Sequence, residues 1–197
     1  GLGPQTRLEL KFGTLFADIN LDGRFDLIGA NGHLEQEINR VQPSQYYEQP
    51  PHFFYNCGPS EATEFRPVPS QNTGVDFSKR MVGRGAAVAD IDGDGDLDIV
   101  FGSSGQSPRL LRNDQKSGHH WLRLRLKGTK SPRDAIGASV SLKIGKEKLT
   151  AMVMPTRSYL SQCERIVTFG LGDSTEVPML EIVWPSGAKQ TVKDAAI

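Results

Sequence analysis

Residues 90–98 read DIDGDGDLD, five aspartates in nine positions, and residues 18–26 read DINLDGRFD. Aspartates at alternate positions of a tight loop turn their oxygens toward one point, and such crowding is tolerable where a hard cation sits among them. Calcium fits, because it takes about six to eight oxygen ligands in flexible geometry. The spacing predicts two calcium sites. In the first, Asp18, Asn20, Asp22 and Asp26 supply side-chain oxygens; in the second, Asp90, Asp92, Asp94 and Asp98 do so. Glycine at the sixth position, Gly23 or Gly95, permits the turn. The seventh position offers its backbone carbonyl, so Arg24 and Asp96 join the ligand set through the main chain. The second loop has one more carboxylate than the first and is expected to bind more tightly.

An EF-hand loop begins the same way but needs a bidentate glutamate at position twelve and a helix on each side. Position twelve is Gly29 in one loop and Phe101 in the other. The flanks read instead as strands, TLF and FDLIGA around the first loop, AAV and LDIVFG around the second. Shifting the chain by 72 residues superposes Ala17–Asp26 on Ala89–Asp98 with six identities in ten positions. A repeated supersecondary unit is the simplest cause.

The rest of the chain must position these loops. Its 197 residues suffice for two modest domains, and 23 basic side chains against 23 acidic ones give no excess that would favour nucleic acid or anionic lipid. Twenty-one glycines and twelve prolines among short apolar runs point to an all-β chain. No apolar run approaches the roughly eighteen residues of a membrane span. Cys57 and Cys163 are too few and too far apart for a disulfide framework, and two free thiols are expected. In the second half, WLRLRL alternates strictly, and ASVSLKI, LTAMVM, IVTFGL and MLEIVW add β-type runs, for which a small β-sandwich is the economical packing. The polar stretch NDQKSGHH marks the boundary, giving domains 1–115 and 116–197. Arg123, Arg125 and Lys127 read as a solvated strand face, His119 and His120 as linker, and GLGDST as a turn. Ser158, Ser161 and Cys163 lack any catalytic partner in sequence, so no catalytic residue is assigned.

FGTLFADINLDGRFDLIGANG resembles the FG-GAP (VCBS) repeat, with Phe12-Gly13 and Gly29-Ala30 as its name residues. ANGH, FFYNCG and EFRPV are similar to the family of bacterial and animal proteins related to cartilage acidic protein. RDAIGA, YLSQ, FGLGD and WPSG, in that order, resemble the ASPIC/UnbV domain. This resemblance implies β-propeller-type blades, some with calcium loops, followed by a small β-sandwich-like domain. Two blades cannot close a ring of about four to eight, so the chain is expected to be the carboxyl-terminal part of a longer protein, with further blades from the missing part or another chain. The implied role is a calcium-binding, non-catalytic recognition or assembly module, extracellular, periplasmic or at the cell surface. A protein or glycan would be its partner, met through aromatics such as Tyr46, Tyr47, Phe53 and Phe54. The alternative is an accessory or catalytic subunit of a secreted biosynthetic or electron-transfer assembly.

Overall fold

Small and branched apolar residues alternate with outward-facing ones along β1 (Lys11–Ala17), which buries Gly13, Leu15 and Ala17 and exposes Thr14 and Phe16. In the computed structural model, which describes residues 2–195, this strand starts an antiparallel sheet. It continues through β2 (Asp26–Asn31), β3 (His52–Asn56) and β4 (Phe65–Pro67) in spatial order. A second antiparallel sheet follows, β5 (Gly83–Ala89), β6 (Asp98–Ser103) and β7 (Arg109–Leu111). Lys11 to Gly83 and Asp26 to Asp98 are both steps of 72 residues, so the sequence repeat is a repeat of strand–loop–strand units.

The inner faces of the two sheets share one apolar cluster that includes Leu15, Ile28, Val88, Ile99 and Phe101. A one-turn helix, Val75–Ser78, delivers Phe77 between Phe53 and Phe101, with ring centroids 6.1 and 5.9 Å away. Burying a side chain of this size stabilises the fold by roughly 1.5–3 kcal/mol. Two of the four aromatics expected as partner anchors are therefore used internally. Phe54 is buried and Phe53 packs on the cluster, whereas Tyr46 is half exposed with the Arg80 guanidinium 4.8 Å from its ring centroid.

The second half forms a four-stranded sheet and a two-stranded ribbon. The sheet runs β10 (Glu147–Met152), β9 (Ser139–Ile144), β12 (Val177–Val183) and β13 (Lys189–Ala195); the ribbon pairs β8 (His120–Leu124) with β11 (Val167–Gly172). Leu122, Val140, Leu142, Phe169, Leu180 and Ile182 fill a second apolar cluster. β13 is polar and almost wholly exposed, with only Val192 and Ala195 packed against that cluster, so its apolar signal is too weak to mark a strand.

The ribbon also meets the first half. Trp121 and Gly170 are partners on one rung of its ladder. A Cβ on Gly95 would lie 1.9 Å from the Trp121 indole, and a Cβ on Gly170 would lie 2.2 Å from Asp18 Oδ2. One rung thus sits against both aspartate loops.

Gly95 also has φ +98°. Gly95→Ala should cost roughly 2–4 kcal/mol, combining left-handed backbone strain with overpacking against Trp121. Gly105→Ala, at φ +69° with nothing near its Cβ, should cost only about 1 kcal/mol. Urea denaturation of both variants checks this. His52 supplies a pH test. Burial, and then Lys11, push its imidazole down to about 4. A depressed folded value means that neutral His52 stabilises the protein above its ordinary value near 6.5, and that this contribution is lost as the pH falls toward about 4. His52→Gln should flatten the fall in urea midpoint between those pH values, and an unchanged slope would refute the assignment.

Candidate metal centre

Each aspartate loop joins the first two strands of its sheet, β1 to β2 and β5 to β6. The two loops share a backbone form, with left-handed φ at position four (Leu21, 61°; Gly93, 84°) and position six (Gly23, 87°; Gly95, 98°). That form is held by the loops' own carboxylates. Position one accepts from the position-six amide: Gly23 N donates to Asp18 Oδ2 at 2.9 Å and Gly95 N to Asp90 Oδ2 at 3.1 Å. Position nine accepts twice. Ile19 N and Asn56 N donate to Asp26, while Ile91 N and Asn113 N donate to Asp98, at 2.8–3.2 Å. Two acids per loop therefore serve as backbone anchors, which explains their repetition apart from any cation.

The loops differ at the remaining positions. In the second, carboxylate oxygens of Asp90, Asp92 and Asp98 lie within 4.8 Å of one another, while Asp94 stands outside that group and accepts from Asp96 N. Among the described residues no such group of three acids forms in the first loop. There Asn20 Nδ2 donates to Asp22 Oδ2 at 3.0 Å and Arg24 Nη2 reaches the same oxygen at 2.6 Å. Arg24 was assigned to the site through its carbonyl alone. Its guanidinium, partly exposed, folds back as a counter-charge on Asp22 and donates through Nε to Asn56 O at 3.1 Å.

Burial acts on these acids. It pushes Asp18 up to about 7 and Asp26 up to about 6, ahead of smaller contributions from backbone donors and neighbouring carboxylates. Asp96 is likewise raised to about 7, first by burial and then by Asp94. The residue is buried and its Oδ1 has no hydrogen-bond partner. A protonated acid or a cation would satisfy that oxygen. The second loop thus fits a hard, oxygen-seeking divalent cation, with three converging carboxylates and no soft ligand among them. A guanidinium already engages one acid of each loop, Arg24 on Asp22 and Arg123 on Asp90, so what favours the second loop is the convergence of its three carboxylates.

The second half closes over both loops. His119 Nδ1 lies 2.7 Å from the Asn20 carbonyl, and from within the first half Asn113 Nδ2 donates to Ile19 O at 2.8 Å. Over the second loop, the Arg123 guanidinium bonds Asp90 Oδ2 through Nη1 and Glu164 through Nη2, 2.6 Å from Oε1. The Asp90 side chain is 1% exposed and that of Arg123 15%. The solvated strand face expected here is corrected at Arg123, since a buried carboxylate demands a counter-charge. Alternation along WLRLRL gave the correct face but could not reveal what lay opposite. The stretch after YLSQ contributes as well. Ser161 Oγ, Cys163 Sγ and Glu164 Oε1 accept from the Ala86, Val88 and Asp90 amides, alternate positions along and just beyond the free edge of β5. Two candidate nucleophiles are thereby engaged in supporting the backbone, and Ser158 Oγ is buried without a partner. Both cysteines are free.

Comparison with known proteins gives the relationships. Residues 82–118 match the FG-GAP repeat model, and residues 128–197 match that for ASPIC and UnbV. Cartilage acidic protein 1 from Xenopus tropicalis is 36% identical over 109 residues, which cover 53% of this chain and 16% of that protein. The proteins of the same name from Homo sapiens and Mus musculus are each 34% identical over 109 residues, covering 16% and 17% of their own lengths. The chain thus spans a small fraction of the curated relatives it matches. It is an all-β chain that carries an FG-GAP repeat followed by an ASPIC and UnbV segment, related to cartilage acidic protein 1.

Proposed function

We propose that this chain is a calcium-stabilised, non-catalytic recognition or assembly module of an exported protein. Residues 1–115 would form two propeller-type blades, and 116–197 a sandwich docked on their loops. The convergence of Asp90, Asp92 and Asp98 beneath Arg123 carries the reading. A divalent cation there would neutralise acids that otherwise repel one another, and binding to the folded state alone stabilises it, by about 2.7 kcal/mol at a hundredfold excess over Kd. Export follows from the same chemistry, since modest calcium sites fill where free calcium is plentiful. A non-catalytic role agrees with the commitment of Ser161 and Cys163 to the β5 edge and of the clustered acids to loop architecture.

In this reading Asp90, Asp92, Asp98 and the Asp96 backbone carbonyl hold the second cation, with Asp94 drawn in on binding. Asp18, Asn20, Asp22, Asp26 and the Arg24 carbonyl hold the first. Calcium calorimetry of the whole chain should find two sites. Asp92→Asn, at an exposed position, should remove the tighter one and Asp22→Asn the weaker. Retention of both sites in both variants, or magnesium binding as well as calcium, would overturn the assignment.

Arg123 gives an independent test. Arg123→Met leaves Asp90 and Glu164 without their guanidinium, and in chelator should cost about 3 kcal/mol. Saturating calcium should recover part of this loss, since the cation supplies the missing positive charge. Urea midpoints with and without calcium decide it; an equal loss in both conditions would mean that guanidinium and cation act on separate carboxylates.

A further inference from the structure

Beyond Leu124 the chain leaves the ribbon, and Arg125 and Lys127 enter the wall of a cavity of about 530 Å³. Arg133, Asp134, Glu164 and Arg165 complete its charged lining, over apolar surface from Ile136, Pro155 and Ile166. The volume falls within the roughly 300–1,000 Å³ typical of small-ligand sites. Both acids of the lining are engaged, Asp134 with Arg165 and Glu164 with Arg123. Among the described residues, Arg125, Lys127 and Arg133 have no carboxylate within ion-pair distance.

Arg125, Lys127 and Arg133 thus line the cavity without an acidic partner, and with Arg165 its four basic side chains exceed its two acidic ones although the formal charges of the whole chain sum to zero. A cleft lined by one sign of charge focuses its field and concentrates ligands of the opposite sign. The two unpaired arginines add planar donor forks suited to oxyanions. A single carboxylate presents two oxygens in one plane and is satisfied by one such fork. A tetrahedral sulfate or phosphate ester presents three terminal oxygens in different directions and can engage three cations at once.

We propose that this cavity binds an anionic ligand bearing sulfate or phosphate ester groups. The inference deepens the recognition reading and rests on it, since it names the chemistry recognised. It does not require either loop to hold calcium. The wall formed by Cys163 and Glu164 is held by Val88 N and Asp90 N, so the cavity is built when the second half is docked on the first.

The test titrates the whole chain with inorganic phosphate, inorganic sulfate and a sulfated disaccharide, following amide chemical shifts. One saturable site is expected, with shifts at Arg125, Arg133 and Arg165. The double variant Arg125→Ser/Arg133→Ser, both at exposed positions, should weaken it by about tenfold or more. Arg40→Ser, which removes an exposed arginine outside the cavity, should leave it unchanged. Preference for the disaccharide would identify a sulfated glycan as the source, and preference for phosphate a phosphorylated small molecule. No saturation with any of the three anions, or equal weakening by Arg40→Ser, would overturn the proposal. Calcium calorimetry on the same samples separates the two readings: calcium binding without anion binding removes the cavity alone.

Discussion

Buried negative charge must be answered locally, and in this chain it is answered by the second half reaching into the first. Asp90 lies at the start of the second loop with its side chain out of solvent, and the cation opposite it comes from β8, some thirty positions along the chain. Desolvating a carboxylate costs several kcal/mol unless a partner of good geometry stands against it. Arg123 is that partner, with Glu164 holding its other arm. Trp121 and Gly170, on one ribbon rung, fit against Gly95 and Asp18. Ion pair and close packing therefore fix the same interface.

Within each loop the acids divide by task. Positions one and nine fasten backbone amides and define the turn, in both copies and with nearly the same distances. Positions three and seven differ between the copies, Asn20 and Arg24 against Asp92 and Asp96. Asn20 and Arg24 turn the first loop inward upon Asp22, whereas the second keeps Asp92 and Asp94 at the surface. One architecture thus supports a loop with one counter-charge of its own and a loop of five aspartates whose counter-charge comes from the second half.

Much of this was legible in the sequence because it is local. The 72-residue offset, the glycine turns and strands such as FDLIGA and LDIVFG depend on near neighbours, and β1, β2, β5 and β6 stand where those patterns put them. Alternation in WLRLRL likewise assigns the buried face of Leu122. What could not be read depends on distant partners. Arg123 looks like any outward arginine until Asp90 is folded against it, and nothing local to Asp96 tells that the fold buries it. Phe53 reads as an exposed anchor because Phe77, its packing partner, lies more than twenty residues away. β13 escaped because an edge strand facing water needs little apolar signal.

The lateral edge of β5 shows how the second half protects the first. An unpaired strand edge presents a row of amides to any passing chain and is a template for intermolecular pairing. Here Ser161, Cys163 and Glu164 meet alternate amides with side-chain acceptors, so the row is occupied without another strand being added. Cys163 also inserts into the apolar cluster of the first half, anchoring the cover. The same segment that braces the acidic loop therefore also caps the β5 edge: a chain cut before residue 161 would retain every loop aspartate and yet leave those amides open to strand pairing.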